Sequence, residues 1–414
     1  MTAELSILNK SGVVIAADSA VTIGRNNKVF NSANKLFQLS THHPVGLMIY
    51  NNSSWMGIPL EIIVKSYSAN LGDKSFPELK DYSADFIQFL KTNFFKEVNS
   101  KATLAFVKSR MYLMLERLVE EAQEKLKSKI KSKDINEPKD ETEAKNLLTK
   151  EFKDFTDGIL NGTEESTTLV EFETYELKDF KDEYKKDIDQ ILISFYSVHS
   201  IKRTSKTTST LYQLIFNEIT TELGPYEDFS GIVIAGYGND QIFPALSEIH
   251  LAEVFSNRLR YQSIKDREIN YNTNAIVIPF AQRDMVDTFF QGVDPNLLKK
   301  FQDQIIESFE ELILSIDKDF ILKKEDSLRE YFQKQYNKLK DKFFDVRDEI
   351  HVQPIINSIS YLPKEDLIEL AESLVNITSL KRKTSNDIHS VGGPVDIALI
   401  SKCDGFQWIK KKSE

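Results

Sequence analysis

Cysteine is nearly missing from this 414-residue chain. The single one, Cys403, excludes an internal disulfide and fits a reducing compartment. No apolar run approaches the roughly 18 residues of a membrane-crossing helix, so no span is expected. The N-terminus also lacks a signal-peptide pattern, which makes the cytoplasm the expected location. Positive charge is in deficit: 53 Lys and Arg face 63 Asp and Glu, and a net charge of −10 argues against nucleic acid as a partner. The patterns H-E-x-x-H and G-x-S-x-G are absent. Gly236 and Gly238 lie close together, but no P-loop or G-x-G-x-x-G helix start follows them. His42-His43 reads as an exposed turn without further metal ligands. No metal and no organic cofactor are expected.

What is present is a soluble globular composition, 41% hydrophobic and 28% charged, organised from its beginning. Residues 2–8 alternate as a strand does, and Asn9-Lys10-Ser11-Gly12 supplies turn residues. Val13-Val14-Ile15-Ala16-Ala17 is an apolar run of the kind buried on both faces, and Asp18 closes it. Lys35 then stands just ahead of Leu36-Phe37-Gln38-Leu39.

These residues, Gly12-Val13-Val14-Ile15-Ala16-Ala17-Asp18-Ser19 and Asn34-Lys35-Leu36, resemble the start of a proteasome β-type subunit or its bacterial relative HslV. Those proteins are N-terminal nucleophile (Ntn) hydrolases of the threonine type. The resemblance implies an α+β fold, a four-layer αββα sandwich of two antiparallel sheets flanked by helices, here with large helical insertions. It covers 2–70, 230–254 and 362–409. A core of that kind needs about 200 residues, so about half of the chain is elaboration. The expected core segments are 1–75, 230–290 and 360–412. The charged helical stretches 76–229 and 291–359 are then insertions.

The resemblance also implies a mechanism. A threonine hydroxyl is a weak nucleophile and needs an adjacent base. Once Met1 is removed, Thr2 carries its own base, an α-amine with an ordinary pKa of about 7.7–8. Removal is expected because the second residue is small, and no self-cleaved leader is expected ahead of it. Lys35 would hold down the pKa of amine and hydroxyl, and Asp18 would pair with Lys35 and fix it. Asn51 lies nearest to the family's oxyanion-binding glycine, at the end of a strand and ahead of a helix expected to carry Met56, Leu60, Ile63 and Val64. An ordinary capping turn is the alternative for Asn51. Thr22 is in position to pair with an extended substrate, or is simply a strand threonine. Asp387-Ile388-His389-Ser390-Val391-Gly392-Gly393 is similar to the family's Asp-x-x-Ser-Gly-Gly with one extra residue. Asp387 and Ser390 are therefore the expected support residues, against an Asx-type turn as the alternative.

Farther along the chain, the stripes Leu79, Tyr82, Phe86, Phe89, Leu90 and Leu104, Val107, Met111, Met114, Leu115, Leu118 predict helices with core contacts. Residues 121–189 read as a charged, solvated insertion with few apolar clusters. Residues 231–238 predict a buried strand, with 241–254 as its antiparallel partner and a further short strand or approach segment at 274–280. Residues 395–400 and 406–409 predict a hairpin turning at Asp404-Gly405. The function so implied is that of a threonine peptidase or amide hydrolase acting on a peptide or protein, with a homo-oligomer expected and any regulatory partner unspecified. A non-peptidase amidase on the same scaffold and a catalytically silent structural or adaptor protein are the alternatives.

Overall fold

The computed structural model describes residues 3–23, 28–30, 34–94, 100–162, 167–224, 227–315, 325–384 and 393–412. The chain opens with β1 (Glu4–Asn9) and β2 (Gly12–Asp18), paired antiparallel around Lys10-Ser11. The Ser11 N–H donates to Asn9 Oδ1 at 2.8 Å and closes that turn. A small separate ladder, β3 (Val21–Ile23) with β4 (Lys28–Phe30), precedes β5 (Leu36–Gln38) and β6 (Val45–Asn51).

Next comes a two-stranded hairpin, β7 (Ser54–Trp55) and β8 (Ile58–Pro59), and only then α1 (Leu60–Leu71) and α2 (Leu79–Asn93). Met56 is thus a turn residue rather than the first turn of a helix. Met56 and Gly57 both have positive φ, +50° and +82°, as a two-residue hairpin turn demands. Pro59, with its fixed φ, stands at the N-cap of α1.

Four helices follow: α3 (Ser100–Lys131), α4 (Glu141–Gly162), α5 (Leu177–Val198) and α6 (Ser205–Thr220). Thr204 caps α6 by accepting the Thr207 N–H at 3.1 Å. Strands resume with β9 (Ser230–Gly236), β10 (Ala245–Phe255), β11 (Arg258–Ser263), β12 (Arg267–Glu268) and β13 (Ala275–Pro279). Then come α7 (Asp284–Gln291), α8 (Pro295–Ser315), α9 (Glu325–Arg347), α10 (Gln353–Ser360) and α11 (Lys364–Thr384). The hairpin β14 (Val395–Ser401) and β15 (Gly405–Lys410) closes the described chain.

The architecture is mixed α/β, with two principal antiparallel sheets. One has the order β13-β1-β2-β14-β15; the other has the order β11-β10-β9-β6-β5, with β12 paired to β10. Period-two alternation sends each strand's side chains two ways. Leu8, Val13, Ile15, Ala398 and Ile400 of the first sheet meet Met48, Tyr50, Val233, Ala235 and Leu246 of the second in one apolar layer. Leu5, Ile7, Val14, Ala16 and Ile397 instead pack on Leu367, Ala371 and Leu374 of α11. Leu47, Ile49, Ile232 and Ile249 pack on Ile63, Tyr67, Tyr82 and Phe86 of α1 and α2. Strands covered on both faces explain the unbroken apolar runs at 13–17 and 231–235.

The segment 121–189 corrects the reading of a charged, solvated stretch with few apolar clusters. Phe152, Phe172, Phe180 and Ile188 are buried with Met111, Leu115, Leu192, Leu211 and Ile215 in a core of their own. The charges occupy the remaining helix faces, so composition alone concealed the stripes.

Candidate functional site

In one sheet the starts of β1 and β14 meet the end of β2, in the other the start of β9 meets the end of β6, and Lys35, bonded to Ile49 and to Asp18, brings these strand ends together. There the Ala3 N–H donates to Asp18 Oδ1 at 3.2 Å, and the Asp18 N–H donates to Ala3 O at 3.0 Å. This reciprocal pair fixes the residue after Thr2 against the end of β2. The Ile49 N–H donates to Lys35 O at 2.9 Å and fixes the entry to β5.

Lys35 Nζ lies 2.7 Å from Asp18 Oδ1 and 2.9 Å from Glu4 Oε1. Relative exposures of 4% for Lys35, 1% for Asp18 and 2% for Glu4 place all three out of water. A buried charge is tolerable only with close counter-charges, and here one ammonium stands between two carboxylates. Glu4 shares strand parity with Ser6 and Leu8, so it enters the layer between the sheets. Its carboxylate is the functional candidate that sequence reasoning missed. An acid in an alternating strand reads as a solvent-facing residue, and the one available signal was its place two residues after Thr2.

Around this core lie further polar groups. The Lys412 N–H donates to Asp396 Oδ1 at 2.8 Å, and Lys412 Nζ stands 3.7 Å from Asp396 Oδ2. Burial, joined by the charge of Lys35, holds the Lys412 ammonium below the ordinary lysine range, with Asp396 opposing the shift. Asn34 Nδ2 donates to Glu61 Oε1 at 3.1 Å, and Lys65 Nζ donates to the same oxygen at 2.6 Å. Asn34, Glu61, Asp396 and Lys411 help to line a recess of about 230 Å³.

On the other side, the Tyr50 hydroxyl donates to Glu248 Oε1 at 2.6 Å and lies 2.7 Å from His250 Nε2. Arg267 Nη1 stands 3.1 Å from Glu248 Oε2. Burial and the Glu248 charge push the Tyr50 hydroxyl far above the usual phenol range, so it stays neutral. Burial would raise the Glu248 carboxyl, but hydrogen bonds from His250, Tyr50 and Arg267 outweigh it and hold the group below the usual range. Gly231 makes room for this arrangement, because a Cβ there would come within 2.1 Å of the Tyr50 ring.

Asn51 closes β6 with φ at +65°, and its Nδ2 donates to Phe229 O at 2.9 Å. Asn tolerates that left-handed region best among residues with a side chain. Thr22 lies in β3 opposite Val29, apart from the two principal sheets. Thr2, Asp387 and Ser390 lie outside the described residues. Asp18, Lys35 and Ala3 are thus brought together, with Glu4 added to them.

No protein-family model matches the chain, and no curated protein matches it. Among solved structures, the chain is similar to an Anbu (Gly-1) mutant from Hyphomicrobium sp. strain MC1. Identity is 8% and the TM-score 0.29, over 100% of this chain and 86% of that one. At so low a score the likeness bears on neither fold nor chemistry.

Proposed function

We propose that the protein is an N-terminal nucleophile hydrolase of amide bonds, with Thr2 as its nucleophile after loss of Met1. The observation that carries the reading is the buried Glu4–Lys35–Asp18 cluster, bonded through Asp18 to the backbone of Ala3. That bond ties the cluster to the residue following the proposed nucleophile. Two sheets packed face to face, with helices on their outer faces, are what an αββα sandwich of this class requires.

In this reading the Thr2 α-amine takes the proton from Oγ as Oγ attacks the carbonyl carbon. The oxyanion is held by backbone N–H groups near Asn51. The amine returns the proton to the leaving nitrogen, and water then hydrolyses the acyl-ester. Lys35 supplies positive field at the attacking oxygen, Asp18 positions Lys35, and Asp387 and Ser390 support the proton path. The substrate class is a peptide or protein, Thr22 pairs with its extended backbone, and copies of the chain assemble with one another.

Intact-mass measurement after exposure to a β-lactone tests the chemistry. The expected result is one adduct on Thr2 of the wild type and none on Thr2→Ala at unchanged thermal stability. Equal labelling of Thr2→Ala overturns the proposal. Sedimentation as a strict monomer overturns the assembly.

A further inference from the structure

The pair α8 and α9 leaves in water an apolar surface that its own two helices do not cover. The helices run antiparallel. Arg329 pairs with Glu310, and the Phe332 ring stacks on Phe309 with centroids 3.6 Å apart. Farther along, Ile305 and Tyr336, then Leu298 and Phe343, line one groove of about 470 Å³. Tyr336 is buried in it, while Leu297, Phe301 and Leu339 are each more than half exposed. Helices of 21 and 23 residues side by side present a face of about 30 by 20 Å, of the order that one partner contributes to a standard interface.

The charge along this face changes sign. At one end, residues 307–311 and 329–333 hold four acids and one base; at the other, residues 299–303 and 338–342 hold five bases and two acids. Helical spacing sets exposed Lys300, Glu307 and Glu311 along one edge of α8. Exposed Lys342 lies one turn from both Leu339 and Val346 on α9. A partner of uniform charge fits one end of such a face and is repelled at the other. A second copy turned end for end offers the reverse order of charge. With a two-fold axis at the level of Ile305 and Tyr336, Glu311 of each copy comes to the level of Lys300 of the other.

We propose that this groove is a two-fold interface between copies of the chain, in which the two α8–α9 pairs lie end for end and close each other's apolar face as a four-helix bundle. The proposal names the surface for the assembly stated above and rests on that assembly, but not on the nucleophile. Each copy supplies the cover that two helices alone lack. The charge pattern excludes the parallel arrangement, which sets acid against acid and base against base.

Sedimentation velocity of the full-length protein at micromolar concentration tests the interface. Lys300→Glu with Lys342→Glu makes the edges acidic throughout, and Glu307→Lys with Glu311→Lys makes them basic. Each double variant alone is expected to weaken self-association by about tenfold or more, and an equimolar mixture of the two to restore it. Phe301→Ser with Leu339→Ser is expected to lower the assembled mass. Restoration on mixing is a gain that a misfolded chain cannot show. An assembled wild type whose variants assemble equally well overturns the inference and leaves assembly through another surface, as does a mixture that associates no better than its parts. A strictly monomeric wild type overturns both the inference and the assembly. Flotation of such a monomer with phosphatidylserine vesicles, lost in Phe301→Ser with Leu339→Ser, assigns the groove to a membrane instead. β-Lactone labelling of the same variants reads the nucleophile separately, so its loss or survival leaves the interface result unchanged.

Discussion

Two helical stretches, α3 to α6 and α8 with α9, draw on similar sequence, rich in Lys and Glu with apolar residues every third or fourth place, yet they end differently. In the first, α3 to α6 bury Phe152, Phe172, Phe180, Leu192 and Leu211 in a closed core. The end of β10 completes that core with Phe255. Arg260 of β11 is fully buried and donates to Ile219 O at 2.6 Å and to Glu218 O at 3.2 Å, satisfying the end of α6. It also stands 3.1 Å from Glu227 and 3.3 Å from Glu253. In the second, α8 and α9 leave Leu297 63%, Phe301 59% and Leu339 60% exposed. These side chains, with Ile305, Tyr336 and Phe343, line an open apolar groove of about 470 Å³. The lesson is geometric. An apolar stripe closes into a core only when enough neighbours cover it, and two helices alone leave part of each stripe in water.

Substitutions in the two stretches sharpen this contrast. Phe152→Ala removes a buried ring from the closed core and is expected to lower unfolding free energy by about 3–5 kcal/mol in urea titration. Arg260→Met strands the Glu253 carboxylate, whose pKa burial already raises against the pull of Arg260. A loss of about 3 kcal/mol is expected from chemical denaturation. A loss below about 1 kcal/mol would mean that the first stretch does not depend on the sheet edge.

Between the two stretches in expected size is Glu248→Gln in β10, at about 2 kcal/mol for hydrogen bonds to a charged group. Its pH dependence has a definite sign. The folded-state pKa of Glu248 lies below the ordinary value of 4.5. Its contribution is therefore complete above that ordinary value and is lost as pH falls through the lower folded-state value. The stability gap between wild type and Glu248→Gln should stand at pH 7 and close under acid, as followed by unfolding curves at pH 7, 5 and 3. A gap that widens in acid contradicts the assignment. The smallest effect belongs to the open groove: Phe301→Ser should change unfolding free energy of the isolated chain by less than about 1 kcal/mol. A loss as large as that of Phe152→Ala would erase the contrast between the two stretches.

The parts of the fold legible in sequence were those fixed locally. The runs at 13–17, 45–50, 231–235 and 395–400 became the central strands of the two sheets, because strands covered on both faces carry unbroken apolar side chains. The β1–β2 and β14–β15 turns were legible from their turn residues. Pairing across long separations was not: nothing in residues 275–279 says that they add to β1. The hairpin at 54–59 was read as helix because Met56 and Leu60 have helical spacing, while the positive φ at Met56 carries no strong sequence mark. At the site, Asp18 and Lys35 were named through the family resemblance, and the structure brings their side chains together. Glu4 was not, because its inward aim depends on both faces of β1 being covered. Lys412 reaches the site from the far end of the chain, which no local pattern conveys.

The central claim is that the chain acts through a free N-terminal threonine beside the Lys35 cluster. Mass spectrometry of the purified protein before and after β-lactone treatment tests it most directly. The account requires a chain that starts at Thr2 and gains one adduct on that residue. A chain that keeps Met1 and gains none contradicts it.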